Sequence, residues 1–117
     1  MPRPAKCKRV CAPPAFPRFG PAGETRGETV EMSVEEYETI RLIDWEQMTQ
    51  EECSQQMQVS RATVQALYDR ARNKLAGCLV NGQQLVIQGG HYHFCTGRRH
   101  GCGRRRCCRQ NEQEESE

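Results

Sequence analysis

The chain has no apolar run long enough to span a bilayer. Its N-terminus, Met1-Pro2-Arg3-Pro4, is not followed by the apolar stretch of a secretory signal. These two absences predict a cytoplasmic location with no membrane partner. No phosphate loop, nucleophile–base pair or two-carboxylate arrangement stands out, so an enzyme is not expected. Closely paired Cys-x-x-Cys spacing is missing too, although the chain holds 8 cysteines. In a reducing cytosol those cysteines read as thiols or metal ligands rather than as a disulfide scaffold.

Charge is plentiful but unevenly placed. The net charge of +2 conceals blocks of opposite sign. Residues 1–26 carry six basic side chains against Glu24 alone. Residues 30–60 carry eight acids against Arg41, and residues 61–75 return to an excess of base. Six arginines fill residues 97–109, and four glutamates close the chain. Local charge decides which surface meets a polyanion, so this pattern matters more than the sum.

With 117 residues, the chain fits one compact domain with tails. Residues 1–29 read as a basic, Pro/Gly-rich arm with a cysteine pair and a short strand near Arg9–Cys11. Residues 30–94 read as the folded unit, and 95–117 as an Arg/Cys-rich tail with an acidic end. Thr29–Met32 alternates as a strand does. Ser33-Val34-Glu35-Glu36 is a capping box that starts a first helix at Val34, ending near Glu46. Thr49-Gln50-Glu51-Glu52 is a second box, for a brief helix over 50–57. Ser60 caps a third helix with Val64, Leu67, Tyr68, Ala71, Leu75 and Cys78 on one buried stripe, ending at Asn81-Gly82. Leu85-Val86-Ile87 is a further strand. The fold class expected is mainly α: a helix-turn-helix of three helices, short flanking β-strands and irregular Cys/Arg-rich termini.

The second and third helices meet the requirements of the motif. Cys53 and Met57 face inward, Ser54 is small at the crossing, Val59 anchors the turn, and Val64 and Leu67 bury the third helix. Gln58 stands where glycine is usual, and the left-handed conformation costs a non-glycine residue roughly 1 kcal/mol. Stepping 100° per residue from Val64 leaves the opposite face for DNA. Arg61, Ala62, Gln65, Ala66 and Asp69 are the candidate base-contacting residues. Gln65 matches the N6/N7 edge of adenine, Arg61 the O6/N7 edge of guanine, and the alanines a thymine methyl. Thr49, Ser60, Thr63, Arg70 and Arg72 are the candidate phosphate contacts.

The stretch Tyr37 to Leu75 resembles region four of bacterial sigma factors, through Leu-Ile-Asp-Trp-Glu (42–46), Thr-Gln-Glu-Glu (49–52) and Val-Ser-Arg-Ala-Thr-Val (59–64). A wider set comprises Met-Pro-Arg-Pro (1–4), Lys-Arg-Val-Cys (8–11), Phe-Gly-Pro-Ala-Gly (19–23), Glu-Tyr-Glu-Thr-Ile-Arg-Leu-Ile-Asp (36–44), Leu-Val-Asn-Gly (79–82) and Ile-Gln-Gly-Gly (87–90). It resembles an uncharacterised prokaryotic family of predicted DNA-binding proteins over roughly residues 1–95. That resemblance implies a sigma-like helix-turn-helix and a bacterial or archaeal source.

The cysteines suggest a metal. Cys7, Cys11, Cys95, Cys102, Cys107 and Cys108, with His100, are the candidate ligands. One site joins Cys7 and Cys11 to two C-terminal thiols; the other is built within the tail from Cys95, His100, Cys102 and Cys107 or Cys108. Zinc is the ion expected for such a set, with an iron–sulfur cluster as the alternative. Cys53 and Cys78 are expected as small core residues.

The functional expectation is a sequence-specific binder of double-stranded DNA, a transcriptional regulator reading the major groove with residues 60–78 and carrying a structural or sensory metal. A homodimer is expected on a palindromic site. One alternative is a sigma-like module whose acidic first helix, through Glu35, Glu38 and Glu46, binds a partner such as RNA polymerase. The other is a redox-sensing or RNA-binding protein acting through the Cys/Arg-rich tail.

Overall fold

A computed structural model describes residues 8–94 of the chain. The first helix begins at Ser33, whose Oγ accepts from the Glu36 amide while Glu36 Oε1 accepts from the Ser33 amide. This reciprocal cap supports α1, Val34–Thr39. The helix then widens into a π-helical stretch, Ile40–Trp45, closed by the Glu46 amide donating to the Arg41 carbonyl five residues back. The expected span, Val34 to about Glu46, is therefore right, but its second half is not α. The wider turn carries Leu42 fully into the core while Arg41 reaches both Glu38 and Glu46.

Thr49 caps α2, Gln50–Met57, with the same reciprocal geometry to Glu52. Gln58 ends it in the left-handed region, at φ 62° and ψ 45°. The Val59 amide then donates back to the Ser54 carbonyl at 3.0 Å, which turns the chain within three residues. Ser54 is buried at the crossing, where a larger side chain would hold the helices apart. Ser60 caps α3, Arg61–Asn81, which ends at Gly82 with φ 71°.

Five short strands complete the fold. β3 (Val30–Met32) and β4 (Leu85–Ile87) pair in parallel, Val30 opposite Leu85 and Met32 opposite Ile87. β2 (Arg18–Phe19) pairs antiparallel on the other edge of β4. β1 (Lys8–Val10) and β5 (Tyr92–Phe94) form a separate parallel pair, so the two ends of the described chain lie side by side. Parallel pairing needs a long crossover, and the helical segment between β3 and β4 supplies it for the larger sheet.

Two apolar clusters hold these layers. One packs Leu42, Met48, Cys53, Met57, Val59, Val64 and Leu67, joining α2 to the first half of α3. The other packs Val10, Met32, Val34, Ala71, Leu85 and Ile87 between the strands and the second half of α3. The helical stripe expected for α3 is buried at Val64, Leu67 and Ala71, whereas Tyr68, Leu75 and Cys78 are only half-buried.

Candidate nucleic-acid interface

The outer face of α3 is open. Arg61, Ala62, Gln65, Ala66 and Asp69 are all exposed, while Val64, Leu67 and Ala71 on the opposite face are buried. All five candidate base-contacting residues thus share one solvent-facing strip in the first half of the helix. Two of them are alanines, so a partner surface can approach the helix backbone closely between Arg61 and Gln65.

The flanking hydroxyls are already at work. Thr49 Oγ1 accepts from the Glu52 amide at 3.0 Å, and Ser60 Oγ accepts from the Thr63 amide at 3.1 Å. Thr63 Oγ1 and Ser60 Oγ share a further hydrogen bond at 3.0 Å. Thr49 and Ser60 are exposed at the N-termini of α2 and α3, where helix dipoles favour an anion.

Arg70, Arg72 and Lys74 of α3 are internally countered. Arg70 Nε lies 3.1 Å and Lys74 Nζ 2.7 Å from the two carboxylate oxygens of Glu36. Arg72 Nε stands 3.6 Å from Asp44 Oδ2, and its guanidinium lies over the Tyr68 ring. Tyr68 in turn donates to Asp44 Oδ1 at 2.7 Å. Burial penalises the Glu36 carboxylate, but Lys74, the Ser33 amide and Arg70 together outweigh that and hold its pKa below the ordinary value. Arg70 and Arg72 remain more than half exposed. Arg72 can exchange the Asp44 carboxylate for a phosphate at little cost, whereas Arg70 would leave behind the buried Glu36.

Lys74 belongs to this group although sequence reasoning did not select it. Glu36 and Asp44, the counter-charges, were missed as well. Glu36 was legible as the last residue of a capping box; nothing in its spacing showed that its carboxylate would also meet Arg70, 34 residues later.

Glu31, Asp44 and Glu51 of the acidic stretch 30–60 are exposed, but the glutamates of α1 do not form a solvated face. Glu35, Glu36 and Glu38 are buried. Glu38 takes both oxygens to Arg41, at 2.9 and 2.8 Å, and also accepts from the Cys11 amide. Glu35 pairs with Lys8 and accepts from the His91 amide. The partner-binding surface expected on Glu35, Glu38 and Glu46 is consequently not presented by α1. Lys8 and Arg9 are buried too, so the basic N-terminal stretch spends these charges inside the fold. Arg9 Nε donates to the Gln56 carbonyl at 2.7 Å, tying β1 to the end of α2.

Six of the seven candidate metal ligands, Cys7, Cys95, His100, Cys102, Cys107 and Cys108, lie outside the described residues. The seventh, Cys11, is buried and disulfide-bonded, so its sulfur must be reduced before it can serve as a thiolate ligand. Among the described residues, no three of His, Cys, Asp and Glu converge as a metal site. Cys53 is fully buried, and burial first, then Glu38, pushes its thiol up to about 12. It is a neutral packing residue at physiological pH. No helix among the described residues is long and apolar enough to cross a membrane.

Comparison with known proteins finds bacterial relatives of this chain. The family described as "Protein of unknown function DUF134" matches residues 1–95. A "UPF0251 protein" of Desulfitobacterium hafniense (strain DSM 10664 / DCB-2) is 54% identical over 105 residues, covering 88% of this chain and 84% of that protein. A "UPF0251 protein" of Pelotomaculum thermopropionicum is 48% identical over 94 residues, covering 79% and 71%. The "UPF0251 protein Teth39_0655" of Thermoanaerobacter pseudethanolicus is 44% identical over 94 residues, covering 79% and 80%. No solved structure matches the chain.

Proposed function

The chain belongs to the DUF134 family of bacterial proteins, and from that premise and the geometry of α3 we propose that it is a sequence-specific DNA-binding protein, a transcriptional regulator. α2 and α3 act as a helix-turn-helix, with the first half of α3 entering the major groove. The observation that carries this reading is the outer strip of Arg61, Ala62, Gln65, Ala66 and Asp69, exposed along one side of a helix whose other side is locked into the core. Side chains that read base edges must reach past the phosphates from a rigid support. Here the support is the cluster around Cys53, Met57, Val59, Val64 and Leu67.

Roles divide by chemistry. Arg61 and Gln65 present the bidentate donors and acceptors that distinguish guanine and adenine. Ala62 and Ala66 keep the helix close to the bases, and Asp69 accepts from a cytosine amino group. Thr49, Ser60 and Thr63 sit near the N-termini of two helices, and Arg70, Arg72 and Lys74 flank the strip. These set register through phosphates and carry no sequence information themselves. Because Glu36 and Asp44 already hold three of the cations, non-specific affinity is modest and the base contacts matter proportionately more.

Selection of bound duplexes from a random pool at low salt tests the reading. A defined motif is expected, and an Arg61→Ala, Gln65→Ala double variant should lose it while keeping its helical circular dichroism. Each lost bidentate contact costs about 1–3 kcal/mol of discrimination. A folded wild-type chain that ignores every duplex at low salt would overturn the proposal.

A further inference from the structure

The last third of α3 differs from the rest of the helix. Leu75-Ala76-Gly77-Cys78-Leu79-Val80-Asn81 contains no Asp, Glu, Lys or Arg, in a chain where these make up 27%. Leu79 and Val80 are 83% and 82% exposed. Ala76, Leu79 and Val80 are all exposed, and spacings of three and four residues place them on one side of the helix. Beside them an apolar cavity of about 600 Å³ opens between α3, α1 and the three-stranded sheet. Its walls include Phe19, Tyr37, Ile40, Leu75, Leu79 and Leu85.

An open apolar cavity flanked by two nearly bare aliphatic side chains marks a surface built to be covered. The chain's own remaining residues are ill-suited to cover it. Residues 1–7 and 95–117 contain no leucine, isoleucine, valine or aromatic residue. A second copy of the chain has what is needed, because socket and knobs stand together on one surface. Such self-complementarity is the requirement of a two-fold interface, in which each patch meets its own duplicate. Ala76 and Gly77 keep the helix slim where two copies would cross.

We propose that a second copy of this chain docks on this surface, the ends of the two α3 helices meeting so that Leu79 and Val80 of each copy enter the other's cavity. The arrangement also suits the DNA reading, and this one step rests on that reading. Gln65 lies about 21 Å along α3 from Leu79 at 1.5 Å per residue. A two-fold axis near Leu79 then separates the two reading strips by up to about 42 Å. A bend of about 70° between the two helix axes, about 35° for each, brings them to the ~34 Å of one DNA turn, the spacing of paired half-sites.

Sedimentation equilibrium of the full-length chain without DNA tests the interface. Wild type is expected to sediment as a dimer. A Leu79→Glu, Val80→Glu variant, and independently Phe19→Asp from the opposite wall, should sediment as monomers with unchanged circular dichroism. A wild-type monomer at every concentration overturns the proposal, as does a dimer that persists in both variants. A monomer whose cavity saturably binds a lipophilic fluorophore, lost in the variants, also overturns it in favour of a small apolar ligand. A dimer that binds no duplex upholds the interface and removes the DNA reading instead.

Discussion

Glu36 is asked to do two things at once. One oxygen caps α1 by accepting from the Ser33 amide, and the same carboxylate joins Arg70 and Lys74 of α3. Its pKa is depressed in the folded protein, where burial alone would have raised it. A depressed carboxylate stabilises the fold above its unfolded pKa, and that stabilisation is lost as pH falls through the folded value. Glu36→Gln keeps an acceptor for the cap but removes the charge. Its denaturation midpoint is therefore expected to fall less steeply than wild type as pH drops below the ordinary carboxylate value of 4.5, measured as urea midpoint against pH. The same substitution frees Arg70 and Lys74 for phosphate, so duplex affinity should rise while the selected motif stays the same.

The connection between α2 and α3 is the element that orients the exposed strip from Arg61 to Asp69. Gln58 holds φ at 62°, a conformation that disfavours a side chain. Gln58→Gly is expected to relieve this strain, stabilising the fold by a few tenths to about 1 kcal/mol and so raising the thermal midpoint, since glycine gives back some of the gain through a looser unfolded chain. A lower midpoint in the glycine variant would show that the Gln58 side chain itself supports the turn. The helix starts were readable from the sequence because capping boxes and a serine cap are local chemistry, and Ser33, Thr49 and Ser60 all cap as expected. The widening at Ile40–Trp45 was not readable, because a π turn leaves no local residue pattern and follows here with Leu42 packed inward and Arg41 set between Glu38 and Glu46. The strand Arg18–Phe19 was equally faint, being two residues long and stabilised by a partner remote in sequence, whereas the alternation of His91, Tyr92 and His93 hinted at the strand Tyr92–Phe94.

At the scale of the molecule, β1 closes the structure. Val10 is fully buried, Arg9 ties the strand to the end of α2, and the Cys11 amide serves the buried Glu38. Gly90, at φ 113°, brings the β5 side around to Glu35, and a Cβ there would collide with that carboxylate. A chain lacking residues 1–11 is therefore expected to lose several kcal/mol by analogy with large core deletions, and to lose duplex binding with it, as measured by chemical denaturation and mobility shift on the same sample. Retained stability in that truncation would reduce β1 to an accessory strand. Helix boundaries, the inward stripe of α3 at Val64, Leu67 and Ala71, and the outward strip from Arg61 to Asp69 were determined by the sequence alone, because caps and a 3.6-residue period act within a few residues. Which charges face solvent was decided only by the tertiary structure. Lys8 is spent on Glu35, Arg9 on the Gln56 carbonyl, and Glu36 on Arg70 and Lys74, since burying an ion demands a partner, and these partners come from distant segments.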